Sequence, residues 1–318
     1  MRRPLCRGVF AIIFLVAVYA TQTRGRTAAA DLTPEAGDGL HPLITTSELV
    51  VGENRFAFGL LKAGKLLEGA DVKLRLYDID GGETKLAAEL KVPYQAVKNV
   101  KLERSVHRHA DGTEHVHGGD SGVRGLYVAQ LSFSRAGDWG LELLVGQENR
   151  PVEAVRFAVT VLDAPTTPAM GSAAPRSRNL IARDVKNLRE IDTSPKPDAR
   201  LHQVRIADAV AQRKPQLIVF ATPQFCTSRM CGPVVDIVRT LLPAYGKRVA
   251  FTHQEIWQDF AEKKMFPTVE EWRLDTEPWV FVVDRDGIIR AKFEGLVTVQ
   301  EIESALHQIL TRGPARCQ

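Results

Sequence analysis

The sequence predicts two domains, an all-β sandwich followed by an α/β domain. Three observations carry this: the length of 318 residues, a change of apolar period near residue 200, and a proline-rich stretch between the two patterns. A chain of this length suggests two domains rather than one. Apolar residues make up 44% and charged residues 25%, the balance of an ordinary globular protein.

The first half reads as strands. Arg55 to Leu60, Val72 to Asp78, Leu86 to Val92, Leu126 to Phe133, Trp139 to Val145 and Val155 to Leu162 are short, largely alternating segments. Asp80-Gly81-Gly82 and Ala136-Gly137-Asp138 punctuate them. Such a run without a helical period argues a β-sandwich over residues 43–163. The stretch from Gly125 to Leu141 resembles the small immunoglobulin-like domains of bacterial exported proteins. Residues 164–200 read as a linker, because Asp163-Ala164-Pro165-Thr166-Thr167-Pro168 and Ser194-Pro195-Lys196-Pro197 cannot hold regular structure for long. A short helix over Ile181 to Ile191 fits between them.

From residue 201 to the C-terminus the expected order is β-α-β-α-β-β-α. A helix over Val204 to Gln212 precedes a buried strand from Gln216 to Ala221. Val234 to Leu242 has helical spacing, and Arg248 to Glu255 reads as a second strand. Short helical pieces fill 256–273. Trp279 to Val283 and Ile288 to Phe293 flank the hairpin signal Asp286-Gly287, and Val299 to Leu310 closes the chain as an amphipathic helix.

The N-terminus reads as an export signal over residues 1–20. Arg2, Arg3 and Arg7 precede an apolar run of 12 residues, Val9 to Ala20, and Val18-Tyr19-Ala20 offers small residues for cleavage. A membrane span needs ~20 apolar residues, so the run is short for a permanent anchor. Membrane attachment is expected only if the segment stays uncleaved. Residues 21–42 read as a flexible leader, and the expected location is periplasmic or extracellular. Without Arg2, Arg3 and Arg7 the 42 basic residues fall to 39 against 38 acidic. The remainder is near neutral, which argues against nucleic acid as a partner.

Cysteine is scarce. Cys6 lies in the export signal, Cys317 lies next to the C-terminus, and Cys226 and Cys231 have four residues between them. That is not the spread of a disulfide-stapled miniprotein. A cysteine where a strand runs into a helix meets unpaired N–H groups and the positive end of the dipole, which favour thiolate. Cys226 is the candidate attacking sulfur and Cys231 the resolving one. In a regular helix, five residues rise ~7.5 Å, too far for a bridge. Pro233 fits only a first turn, so the helix is expected to begin near Gly232 or Pro233, which would let a disulfide close. A static disulfide or a pair of buried apolar thiols is the alternative.

Phe220-Ala221-Thr222-Pro223-Gln224-Phe225-Cys226, then Glu277-Pro278 before the strand Trp279 to Val283, then Asp284-Arg285-Asp286-Gly287 resemble the thioredoxin-like superfamily, in its exported bacterial thiol-disulfide and peroxiredoxin-like branch. The resemblance spans about residues 205 to 312. It implies a C-terminal thioredoxin-like fold, a redox-active Cys226–Cys231 disulfide and no required cofactor. It also implies protein thiols or a small oxidant as partners. Pro278 would be a cis-proline that presents the backbone of Glu277 to a bound peptide. The sequence departs from the family in its four-residue spacing and in placing Val219 and Phe220 where thioredoxins bury an acid. His253 and Glu255 could substitute, although such residues at a strand end are more often solvated. The segment Cys226 to Gly232 is also similar to the peroxidatic site of Q-type peroxiredoxins, which makes a thiol peroxidase an alternative.

A second constellation is His-rich. His107, His109, His115 and His117 surround Asp111-Gly112. Such a tract can bind copper or zinc, and a copper- or zinc-binding or metal-delivery protein is the alternative from another class. Register decides the geometry. A loop of Asp111-Gly112 puts the two pairs on opposite faces, whereas a loop of Asp111-Gly112-Thr113 puts all four on one.

Overall fold

Apolar residues alternate along Val72, Leu74 and Leu76, and again along Phe56, Phe58 and Leu60, and these two rows are buried against each other. The computed structural model describes residues 39–80, 84–97, 105–108, 114–117, 124–148 and 150–311. The elements of the first half are β1 (Leu40–Ile44), β2 (Gly52–Lys62), β3 (Lys65–Leu66), β4 (Asp71–Asp78), β5 (Lys85–Val92), β6 (Tyr94–Ala96), β7 (Ser105–Arg108), β8 (Glu114–His117), β9 (Gly125–Phe133), β10 (Gly137–Gly146) and β11 (Glu153–Val161). One antiparallel sheet has the order β1-β2-β9-β6 with β3 beside β2; the other has the order β11-β10-β4-β5. Tyr127, Leu131, Phe133, Trp139, Leu141 and Leu143 complete the core between them. Burying each such side chain contributes roughly 1.5–3 kcal/mol.

The second half contains α1 (Ile206–Ala211), β12 (Gln216–Phe220), α2 (Cys231–Tyr245), β13 (Ala250–Gln254), β14 (Trp257–Asp259), β15 (Lys264–Met265), α3 (Pro267–Glu271), β16 (Trp279–Val283), β17 (Ile289–Glu294) and α4 (Val299–Thr311). Its main sheet has the order β13-β12-β16-β17, with β12 and β13 parallel and the other pairs antiparallel. No helix among the described residues is long and apolar enough to cross a membrane.

The expected two-domain chain with a C-terminal α/β thioredoxin-like fold is corrected by this architecture. Among the described residues strand accounts for 40% and helix for 20%. Of the four α-helices among them, α1 and α3 are only six and five residues long. Helices cover one face of the β13-β12-β16-β17 sheet, where Leu217, Val219, Val280 and Val282 meet α2 and α4. The opposite face, with Ile218, Phe220, Phe281 and Val283, is covered mainly by irregular chain around Ala174 and Ile191 and by α1 and α3. The stretch read as a helix from 181 to 191 forms two 3-10 turns, Ala182–Asp184 and Leu188–Glu190. The stretch 256–273 forms the hairpin β14–β15 and α3.

Nor does the second half stand apart. The described residues all fall within one compact unit. Strands β2 and β9 are buried on both faces: Phe56, Phe58 and Tyr127 face the first core, while Ala57, Leu126 and Val128 join the core of α2 and α4. Polar contacts lock the same joint. Arg55 donates to Glu301 at 2.7 Å and to the Leu296 carbonyl at 2.7 Å. Glu294 accepts from the Ser47 and Glu48 N–H groups at 2.7 and 3.1 Å. The local apolar patterns specify strands and helices, but not this second burial of β2 and β9.

Candidate active site

Strand β12 is buried along its whole length and delivers Thr222-Pro223-Gln224-Phe225 to the turn that holds Cys226. Arg229 takes a left-handed conformation, φ 59°, and its N–H donates to the Cys226 carbonyl at 3.3 Å. Helix α2 then starts at Cys231, with Pro233 in its first turn. This reversal brings the two Cα atoms to 6.0 Å, and Cys226 and Cys231 form a disulfide. The Cys231 N–H donates to Cys226 Sγ at 3.3 Å, and Ser228 Oγ lies 3.1 Å from the same sulfur. A hydroxyl and a helix-end N–H aimed at one sulfur would stabilise negative charge there once the bridge opens. Cys226 is 2% exposed and Cys231 is fully buried, whereas Thr227, Ser228 and Arg229 are exposed.

Glu277 comes from the far side. The Glu277–Pro278 peptide is cis, and Pro278 leads into β16. Glu277 Oε2 accepts the Thr222 N–H at 2.8 Å and lies 3.4 Å from Cys231 Sγ. Burial, reinforced by the Glu255 carboxyl, pushes Glu277 up to about 8 against the opposing hydrogen bonds of Thr222 and Trp257. The expected role of Glu277 rested on its backbone; the structure adds its carboxyl as an acid within reach of the second sulfur.

Behind this lies a buried polar group. His253 and Glu255 are each 1% exposed, not solvated. Glu255 accepts the Thr193 N–H at 2.8 Å, and burial raises its pKa. His253 Nε2 meets the Ala221 carbonyl at 3.0 Å, and its Nδ1 lies 3.6 Å from Asp192 Oδ1. His202 Nε2 is 3.2 Å from Asp192 Oδ2. Burial pulls His253 down, but the Asp192 charge outweighs it and raises the group to about 9. Burial holds His202 below its ordinary value against the attraction of Asp192. Asp192 and His202 carry no signal in the sequence, since both sit in the irregular stretch read as a linker and its border.

An apolar wall stands beside the cysteine turn. The Phe225 and Phe260 rings stack at 4.3 Å, and Trp257 meets Phe260 edge-on at 5.7 Å. Phe260 is exposed.

The expected histidine site is only partly within the described residues. Strands β7 and β8 pair with His107 opposite His115 and His117 opposite Ser105. That is a register that neither of the two expected loops produces. His109 lies outside the described residues, as do Cys317 and the leader through residue 38.

No family model and no curated protein matches the chain. A DUF4426 family protein from Pseudomonas aeruginosa PAO1, known from a crystal structure, is similar over 39% of this chain and 90% of its own, at 15% identity and a TM-score of 0.22.

Proposed function

We propose that the protein is a thiol-disulfide oxidoreductase in which Cys226 attacks, Cys231 resolves and Glu277 carries the proton. The observation that supports this reading above the others is the Glu277 carboxyl 3.4 Å from Cys231 Sγ, still protonated near neutrality with a value of about 8. A bridge that only braces the fold has no need of a proton carrier at its second sulfur.

In the oxidising direction, a substrate thiolate attacks Cys226 Sγ and forms a mixed disulfide. The Cys226–Cys231 bond breaks, the electron pair stays on Cys231, and Glu277 gives that sulfur its proton. A second substrate thiolate attacks the substrate sulfur of the mixed disulfide. The products are a substrate disulfide and Cys226 thiolate, held by the Cys231 N–H and Ser228. In the reducing direction Cys226 thiolate attacks one sulfur of a substrate disulfide, forming a mixed disulfide and releasing the first substrate thiolate. Cys231 gives its proton to Glu277, attacks Cys226 Sγ, re-forms the Cys226–Cys231 bond and releases the second substrate thiolate. Export to an oxidising compartment, where a disulfide can persist, belongs to the same proposal.

The near-complete burial of both sulfurs favours a second reading, a bridge that stays closed. Two measurements separate them. A Cys231→Ser variant is incubated with a peptide disulfide, and a mixed disulfide at Cys226 is sought by mass spectrometry. The reduction potential of the wild-type pair is then measured against glutathione. A trapped adduct and a potential above about −300 mV support exchange; no adduct and a potential below about −300 mV leave a structural bridge.

A further inference from the structure

Three buried side chains behind β12 converge without a complete set of hydrogen bonds. Asp192, His202 and His253 are each at most 1% exposed, and one donor atom from each lies within 4.8 Å of the others. We infer that Asp192, His202 and His253 hold one divalent transition-metal ion of borderline softness, such as zinc.

The spacing fits. Tetrahedral zinc with bonds of about 2.0–2.1 Å holds its donor atoms roughly 3.3 Å apart. His202 Nε2 and Asp192 Oδ2 are 3.2 Å apart, and His253 Nδ1 and Asp192 Oδ1 are 3.6 Å apart. The surroundings of His253 fit as well, while the free Nδ1 of His202 is buried with no hydrogen-bond partner. His253 directs Nε2 at the Ala221 carbonyl, 3.0 Å away, so that nitrogen is the N–H donor and Nδ1, facing Asp192, is the nitrogen on which a metal ion would replace a proton. His253 Nδ1 makes no hydrogen bond although it is fully buried. A histidine that donates one N–H to a carbonyl and aims the other nitrogen at a carboxylate has the orientation of a metal ligand. The Asp192 carboxylate is itself fixed, since Oδ1 accepts the Ser194 N–H at 2.9 Å and Oδ2 the Asp198 N–H at 3.0 Å.

The donor set selects the metal class. Two imidazoles and one carboxylate suit zinc, iron(II) or copper(II) better than calcium or magnesium, which prefer all-oxygen sites. The ion would tie both ends of the irregular segment 192–202 to β13, which carries His253. It would also lie close to the end of β12 that leads to Thr222 and the cysteine turn. The site is separate from the histidine hairpin and shares no ligand with the disulfide.

The test uses the full chain with its disulfide intact, unfolded and refolded with zinc sulfate and then dialysed. Elemental analysis is expected to find about one zinc per chain, because a site this buried loads during folding. The Cys226→Ser/Cys231→Ser and His115→Ala/His117→Ala variants keep the zinc, whereas His202→Gln and Asp192→Asn lose affinity by more than about tenfold. Should these last two fail to fold, cobalt loading of the wild type still decides. Absorption of a nitrogen- and oxygen-ligated cobalt centre without a thiolate charge-transfer band supports the site. No bound metal in the wild type, a thiolate band, or unchanged zinc in His202→Gln overturns it and leaves a buried imidazolium–carboxylate pair.

Discussion

The Glu277 carboxylate oxygen that accepts the Thr222 N–H at 2.8 Å is also the one that stands 3.4 Å from the sulfur of Cys231. Its proton therefore has a short path to one sulfur of the bridge. In the proposed exchange, Glu277→Gln keeps the shape and removes the proton carrier. Disulfide opening by a thiol is expected to slow about 100-fold, the lower end of general acid–base effects. The inflection near pH 8 in its rate profile should disappear. Stopped-flow reduction followed by thiol alkylation reads both, and a rate equal to wild type would remove Glu277 from the chemistry.

The same group makes stability depend on pH. Its ordinary value of 4.5 rises to about 8 in the folded chain. Between these limits the unfolded chain has lost the proton while the folded chain keeps it. The folded state then binds more protons, so stability falls as pH rises from about 4.5 to 8. Below 4.5 both states hold the proton and the effect vanishes. Denaturation midpoints of wild type minus Glu277→Gln, taken across that window with the disulfide intact, are expected to decline. A flat difference would mean that the carboxyl is not desolvated.

The pairing of Arg55 with Glu301 bridges β2 and α4, with side-chain exposures of 11% and 14%. Arg55→Ala leaves Glu301 without its cation and the Leu296 carbonyl without a donor. The expected cost is about 2–3 kcal/mol, below the full penalty for breaking a sealed pair because some solvent reaches this one. Wild type should unfold in one transition seen by fluorescence and by circular dichroism. Two separated transitions would restore independent halves.

Gly295 has φ +71°, and a Cβ there would come within 2.7 Å of the Thr45 carbonyl oxygen. Gly295→Ala carries about 1–2 kcal/mol for the left-handed backbone and a further penalty for the clash with Thr45. A lowered Tm is the expected result. An unchanged Tm would show that the approach of β1's end to the loop after β17 is slack.

Much of the local structure was legible. Five consecutive apolar residues mark β16, and Pro233 points to a helix start near Gly232, one residue from the observed start at Cys231. Asp286-Gly287 turns where expected, with Gly287 at φ +78° and the Asp284 carboxylate accepting the Asp286 and Ile288 N–H groups. What escaped was set by distant residues. His253 and Glu255 looked like a solvated strand end because Asp192, Thr193 and His202, which cover them, lie some fifty to sixty positions earlier in chain without a period. Glu277 was read through its proline neighbour, and nothing local says that its carboxyl points at Cys231. The division at residues 164–200 failed for the same reason. Proline excludes regular structure, but it does not keep a segment from packing, and Thr167, Ile181 and Ile191 are buried.

Because Ala57, Leu126 and Val128 are covered by the layer that carries the cysteines, the chain has no place to be cut cleanly. A fragment ending near residue 163 would present a water-facing stripe of apolar strand, and one starting near 201 would lose the floor beneath α4. Each piece would stick to itself rather than dissolve, so the cysteine pair stands or falls together with the β-sheets in front of it.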